Sequence, residues 1–310
     1  MVVSPNKRRL IAIVGPTATG KSALAARLAQ QLGGEVINAD SRQVYRYMDI
    51  GTAKPSADER AAAPHQLYDI IDPDERFSLR RYLDLVSEAL EECWARWALP
   101  IVVGGTGQYV WALLEGWQVP RVAPDPALRA ELEARAEREG AQSLIDELER
   151  VDPEYVARMD SANVRRLIRA MEVYYRTGRT PSSCATRTPP DFSWTAIGLD
   201  CPREVLYPRI DARVDAMMAA GLLDELRRLI ESGYDCDLSS MAGIGYRQLC
   251  QHLAGELSLV EAIERIKTAT HRLARMQSTW FRRDDERIRW LDITAGDPLG
   301  EALRIVESGS

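Results

Sequence analysis

Histidine is nearly missing from this chain of 310 residues, which holds three, and cysteine is sparse at five. His65, His252 and His271 are scattered, so no metal cluster built on imidazoles is visible. Cys93, Cys184, Cys201, Cys236 and Cys250 stand apart, odd in number and with no CxxC spacing. That pattern argues against a disulfide framework and against a zinc site, and predicts reduced, mostly buried thiols. Long apolar runs are missing too: none approaches the roughly 20 residues that a bilayer span needs, so no membrane contact is expected. Lys7, Arg8 and Arg9 ahead of Leu10 to Val14 imitate the start of a signal peptide, but Gly15 and Pro16 break the apolar part too early for one. A cytoplasmic protein is expected, and a monomer. Nor is there an excess of positive charge. The net value of −6 speaks against unselective binding of polyanions, although local charge reads differently.

What is present, directly behind the apolar "LIAIVG", is "GPTATGKS" over residues 15–22. Glycines let successive backbone N–H groups turn towards an anion, a lysine neutralises its oxygens, and a hydroxyl can hold Mg²⁺. Gly15, Gly20, Lys21 and Ser22 supply these, with Pro16, Thr17, Ala18 and Thr19 completing the loop. The preceding apolar run reads as a buried strand, and "SALAARLAQQL" as a helix ended by Gly33 and Gly34, which is the context the motif requires. "EVINAD" reads as a second strand, "LRRYLDLVSEALEECWARW" as a long helix and "LPIVVGGTG" as a third strand. The order predicts an α/β fold: a P-loop NTPase-like core with a parallel sheet flanked by helices. Its loops at 15–22, 40–43 and 104–107 should meet in one crevice beyond the carboxyl ends of the strands. From about Val119 to Pro190, Pro/Asp punctuation and charged helical stretches predict an inserted helical lobe, 119–190, between core segments 1–118 and 191–310. "WTAIGLD" then returns to the sheet, "LYPRIDARVDAMMAAGLLDELRRLIESG" is helical and "RIRWLD" is a last strand.

Asp40, at the end of the second strand, can ligate Mg²⁺ through water or accept a proton from a nucleophile; a turn or N-cap aspartate is the plainer alternative. Ser41, Arg42 and Gln43 beside it can all hydrogen-bond a substrate. The third strand ends in Gly-Gly-Thr where ATPases and GTPases commonly carry an acid, and no NKxD-like guanine reader is present. Thr106 is therefore a candidate substrate or pyrophosphate contact, unless the glycine turn serves packing alone. Arg209 and Arg213, one helical turn apart, could reach one anion or pair with Asp211 and Asp215.

The stretch "RIKTATHRLARMQSTWFRR", residues 265–283, has no acid. At 100° per residue Arg265, Thr268, Arg272, Arg275, Thr279 and Arg282 form a polar stripe, with Ile263, Ile266, Leu273 and Trp280 on another side. "NVRRLIRAMEVYYRTGR" clusters Arg165, Arg166 and Arg169, and "GIGYR" adds a glycine-arginine turn. A solvated face explains any one such run; together, on an acidic chain, they suggest selective contact with a nucleic-acid backbone.

The set "GPTATGKS", "ADSRQVYRYMDIGTAKP", "PHQLYDIIDP", "PIVVGGTGQYVWALLEG", "RRLIRAMEVYYRTGRTPS", "LYPRIDARVDAMMAAGLLDE", "GIGYRQL" and "MQSTWFRR" resembles, in order and over nearly the whole chain, the bacterial tRNA dimethylallyltransferase (tRNA isopentenyltransferase) family. The resemblance implies transfer of a dimethylallyl group from dimethylallyl diphosphate to N6 of adenosine 37 in the tRNA anticodon loop, with pyrophosphate held by the loop at 15–22. It implies Asp40 as general base, Thr106 and Arg213 as pyrophosphate contacts, and Ser22 as holder of Mg²⁺. It also implies tRNA contacts at Asp40, Ser41, Arg42, Gln43, Thr106, Arg129, at Arg165, Arg166, Leu167, Ile168 and Arg169, and at Ala242, Gly243, Ile244, Gly245, Tyr246 and Arg247. The last such segment holds Arg275, Met276, Gln277, Ser278, Thr279, Trp280, Phe281 and Arg282. Met276 and His271 depart from the basic residues common in the family, which weakens backbone contact there. The Cys/His finger of eukaryotic relatives is absent. A small-molecule kinase, a prenyltransferase of free adenine nucleotides and an RNA-binding ATPase are the rival readings.

Overall fold

A computed structural model describes residues 8–120, 122–160 and 163–308; Lys7 of the basic start lies outside them. The described chain divides into two compact units, one holding the residues up to Leu114 with those from Asp191 onward, the other Glu115–Pro190. In the first unit the chain runs β1 (Arg9–Val14), α1 (Lys21–Leu32), β2 (Gly34–Asn38), α2 (Ala57–Ala62), β3 (His65–Gln66), α3 (Leu79–Ala95), β4 (Leu99–Val103) and α4 (Gly107–Leu114). The second unit contributes α5 (Pro126–Glu139), α6 (Ala141–Val151), α7 (Pro153–Arg158), α8 (Val164–Thr177) and α9 (Pro181–Cys184). The chain then re-enters the first unit as β5 (Ser193–Asp200), α10 (Arg203–Ala219), α11 (Leu222–Glu231), α12 (Tyr246–Leu253), α13 (Leu259–Trp280), β6 (Ile288–Asp292) and α14 (Pro298–Ser308).

The strands form one parallel sheet in the order β3-β2-β4-β1-β5-β6. Parallel strands covered on both faces need near-continuous apolar runs, and Ile11, Ile13, Val36, Ile101, Val103, Ile197 and Leu199 pack with Leu24 and Leu28 of α1 into one core. Ile13 and Asn38 are both in register with Val103, so the carboxyl ends of β1, β2 and β4 lie level and their loops leave together. The stretch read as one helical run after residue 206 is two helices, because Gly221 adopts φ 95 between α10 and α11. A second core gathers Val44, Met48, Leu222, Leu226, Tyr246, Leu249 and Ile266.

The second unit has its own core of Leu132, Leu144, Leu148, Leu167 and Met171. Within it Glu172, fully buried, accepts from Arg129 (2.8 and 2.9 Å), from Arg169 and from the Asp125 amide (2.7 Å).

The expectation of reduced thiols holds for Cys93, Cys184 and Cys201 but not for Cys236 and Cys250, which are joined in a disulfide. These two are 14 residues apart, yet the turn between α11 and α12 brings their Cα atoms to 5.9 Å, within bridging range. Isolation along the chain says nothing about such a return.

Candidate active site

Loops leaving β1, β2 and β4 meet α10, the α11–α12 turn and α13 around a cavity of about 960 Å³, lined by residues of the first unit. The phosphate loop shapes one wall. Gly15 sits at φ 128, and a Cβ there would lie 2.2 Å from the Leu199 carbonyl oxygen, so only glycine lets the loop press onto β5. Gly20, at φ 89, opens α1 without a side-chain cap, which leaves the first-turn amides and the positive end of the helix to an anion. The Pro16 carbonyl accepts from Thr19 Oγ1 (2.9 Å) and Lys21 Nζ (2.6 Å). Burial, then repulsion from Arg213, pulls the Lys21 ammonium down to about 7, with Asp40 opposing.

Both arginines of α10 turn to this loop: Arg209 donates to the Ala18 carbonyl (3.1 Å) and Arg213 to Thr17 Oγ1 (3.4 Å). Burial holds the Arg213 guanidinium below its usual value, against the pull of Asp40 and Glu59. Their neighbours have other partners, since Asp211 faces His271 and Asp215 faces Lys267, each at 2.9 Å. Two guanidiniums, an ammonium and a helix N-terminus therefore gather at one loop, which suits a polyanion.

Asp40, two residues beyond β2, lines the same cavity. Asn38, only 1% exposed, donates to the Asp40 carbonyl (3.1 Å) and accepts from the Asp40 amide (2.9 Å). The Asp40 carboxylate accepts from the Arg42 amide (2.8 Å) and lines the cavity, half-buried. Thr106 braces the same turn, its hydroxyl accepting from the Ser41 amide (3.0 Å). The glycines around Thr106 are required by close approach. A Cβ on Gly104 would lie 2.2 Å from the Ala39 carbonyl oxygen, on Gly105 2.0 Å from Gln277 Nε2, and on Gly107 2.3 Å from Trp280 Cγ.

The wall made by "MDIGTAKP" is fixed from behind. Glu225 of α11 accepts from the amides of Asp49 (2.9 Å), Ile50 (2.8 Å) and Gly51 (3.1 Å) and from the Tyr246 hydroxyl (2.6 Å). Lys54, nearly buried, donates to the Tyr45 carbonyl (2.6 Å), to Asp49 and to Asp69. Gln43 donates to the Thr52 and Ala53 carbonyls (3.0 and 2.9 Å). Sequence reasoning passed over Asn38, Glu225 and the role of Lys54; only Asn38 carried a signal, as a polar residue ending an apolar strand.

The polar stripe on α13 is real: Arg265, Thr268, Arg272, Arg275 and Thr279 are exposed, as is Arg282 just past the helix. Arg275 donates to the Tyr207 hydroxyl (3.1 Å) and Arg282 pairs with Asp284 (2.7 Å). On the other side of α13, Trp280 lines the cavity with Met276, and both stay exposed, 41% and 55%. Ala242, Gly243, Ile244 and Gly245 line the cavity too, while Arg247 is exposed on α12.

Several residues for which the resemblance implies RNA contact have buried side chains, Gln43, Tyr246 and Gln277 among them at the cavity wall. Tyr246 and Phe281 are core residues of the first unit, Leu167 and Ile168 of the second, because each lies on the apolar side of its segment. Gln43 and Gln277 are buried, with their amides engaged inside the protein. Arg129 and Arg169 are turned onto Glu172, whose buried charge needs both. Arg165 and Arg166 remain exposed on α8.

Fold and site together define the class: a parallel α/β protein whose phosphate loop and paired arginines face a braced carboxylate, as group transfer from a phosphorylated donor requires. The family profile described as IPP transferase matches residues 43–284, and that described as isopentenyl transferase matches 8–67. The tRNA dimethylallyltransferase of Roseiflexus sp. (strain RS-1) is 56% identical over 274 residues, 88% of this chain and 90% of its own. That of Thermomicrobium roseum is 50% identical over 290 residues, 93% and 88% of the two chains. Among solved structures, the full-length tRNA isopentenylpyrophosphate transferase of Bacillus halodurans superposes with a TM-score of 0.72 at 41% identity, over 98% of this chain and 96% of that one. A eukaryotic dimethylallyltransferase acting on tRNA gives 0.82 at 30% identity, over 97% and 78%. The chain belongs to the IPP transferase family.

Proposed function

We propose that this chain transfers a dimethylallyl group from dimethylallyl diphosphate to N6 of adenosine 37 in the anticodon loop of tRNA, releasing pyrophosphate. The observation that carries the reading is that a cationic phosphate loop and the braced carboxylate of Asp40 line one cavity, with Asp40 near enough to act on Lys21 and Arg213. Names of relatives at about half identity give the transferred group, dimethylallyl, and the acceptor class, tRNA, and the family implies the diphosphate donor. Neither a kinase nor a free-nucleotide prenyltransferase is favoured by them.

Heterolysis of an allylic C–O bond leaves positive charge shared over the allyl group and both bonding electrons on diphosphate. The chief task is to stabilise that departing anion, and preorganised charge is usually the largest catalytic contribution. The first-turn amides of α1, Lys21, Arg209 and Arg213 lie where they would do so. Adenine N6 is a poor nucleophile; as its lone pair bonds to the prenyl carbon, Asp40 takes its proton. The base must leave its stack to arrive there. Arg275 and Arg282, and separately Arg165 and Arg166 of the lobe, are candidate contacts to the RNA backbone.

Among the described residues no three His, Cys, Asp or Glu side chains are grouped to cage a metal. Mg²⁺ typically takes one or two protein oxygens and fills its shell from substrate phosphates and water, and the Ser22 hydroxyl lining the cavity fits that demand. Ser22 would hold the ion, which would supply further neutralisation of the diphosphate oxygens.

Asp40→Asn tests the assignment. It should keep affinity for tRNA and inorganic pyrophosphate and lose turnover by about 100-fold or more, the scale of general-base catalysis. Turnover near wild type would remove Asp40 from that role.

A further inference from the structure

The family resemblance implies an RNA contact at Gln277, and the structure buries its side chain at 5% exposure beside the cavity. Its amide is engaged at both ends. Oε1 accepts from the Thr17 amide of the phosphate loop (2.8 Å), and Nε2 donates to the Gly105 carbonyl beyond β4 (3.2 Å). Thr17 is gripped a second time, through its hydroxyl, by Arg213 (3.4 Å). Gly105 adjoins Thr106, whose hydroxyl holds the Ser41 amide next to Asp40 (3.0 Å). One path of hydrogen bonds and single peptides thus runs from the loop that would hold the leaving group to the turn that carries the base. The approach is close: a Cβ on Gly105 would lie 2.0 Å from Gln277 Nε2.

We infer that Gln277 is a positioning residue, a strut that sets the separation of the diphosphate loop from the Asp40 turn. This rests on the transferase reading above. Prenyl carbon and N6 are tethered to opposite ends of the strut, and a misplacement of about 1 Å can cost about 100-fold in rate. The amide suits the task because it offers an acceptor and a donor from one planar group; a carboxylate lacks the donor and an ammonium the acceptor. Gln277 touches no reacting atom in this role.

Gln277→Met keeps the length and roughly the volume of the side chain and removes both bonds. The assay is transfer from labelled dimethylallyl diphosphate to unmodified tRNA at saturation, with tRNA affinity measured separately. The expected result is a fall in kcat of about 100-fold with tRNA affinity and KM for the diphosphate near wild type. Gln277→Glu, which keeps the acceptor towards Thr17, should recover part of kcat. Should the Met variant not fold, Gly105→Ala breaks the same contact from the other side and should give the same split. Weakened tRNA binding with wild-type kcat would overturn the inference in favour of an RNA contact, and so would wild-type values throughout. A wild-type chain that transfers no prenyl group overturns the transferase reading and this one with it; transfer by wild type and Gln277→Met alike overturns the strut alone.

Discussion

Lys21 is the residue whose protonation reports what the cavity is for. Burial and Arg213 bring its ammonium to about 7, so near pH 8 the free protein holds it mostly neutral. A bound diphosphate favours the charged form and raises that value, so binding must take up a proton, and affinity should fall as pH rises above 7. Calorimetry of pyrophosphate binding near pH 8 in two buffers of different ionisation enthalpy should show an uptake approaching one proton that Lys21→Met lacks. Equal uptake by both would show that Lys21 does not meet the anion. At this scale the phosphate loop was legible because its members are consecutive, and Asp40 because a strand end implies a crevice. The bond of Gln277 to the phosphate loop was not legible for the opposite reason: its partner Thr17 lies 260 positions away, a distance over which no spacing rule operates.

Elements were legible where their apolar period was long. The two-residue β3 had no period to show, and the separation of α10 from α11 depended on one glycine. The "GGTG" turn shows how packing and chemistry share a motif: Gly104 admits the end of β2, and Gly105 and Gly107 admit α13. Gly107 opens α4, where helix propensity alone would make alanine better by up to about 1 kcal/mol. A methyl 2.3 Å from Trp280 Cγ reverses the sign. Gly107→Ala should therefore destabilise the protein by about 1–3 kcal/mol, the cost of overpacking, in denaturant titration. A stabilised variant would mean that α13 yields there.

At the scale of the molecule, an acidic chain carries basic faces, and counting charge alone would have missed them. Pattern also announced a change of character after the first core segment, but not that Glu172 would gather the arginines within the second unit. There burial pushes the Glu172 carboxyl up, and the bonds from Arg129 and Arg169 outweigh it, so the net shift is downwards. A depressed folded value contributes stability above the unfolded value of about 4.3 that is lost as pH falls through the folded one. Glu172→Gln should cost about 2–3 kcal/mol near neutrality, less than a fully buried pair because both arginines are about a third exposed, and should flatten the acid limb of the stability curve. Equal acid sensitivity in variant and wild type would assign that limb to other carboxylates.

The most direct test of the whole account is to incubate the protein with dimethylallyl diphosphate labelled in the prenyl group and with unmodified tRNA, and to map the label. The account predicts label on N6 of adenosine 37 with one pyrophosphate released per group transferred. Label on free adenine nucleotides, or a phosphorylated product formed from ATP in place of a prenylated one, would contradict it.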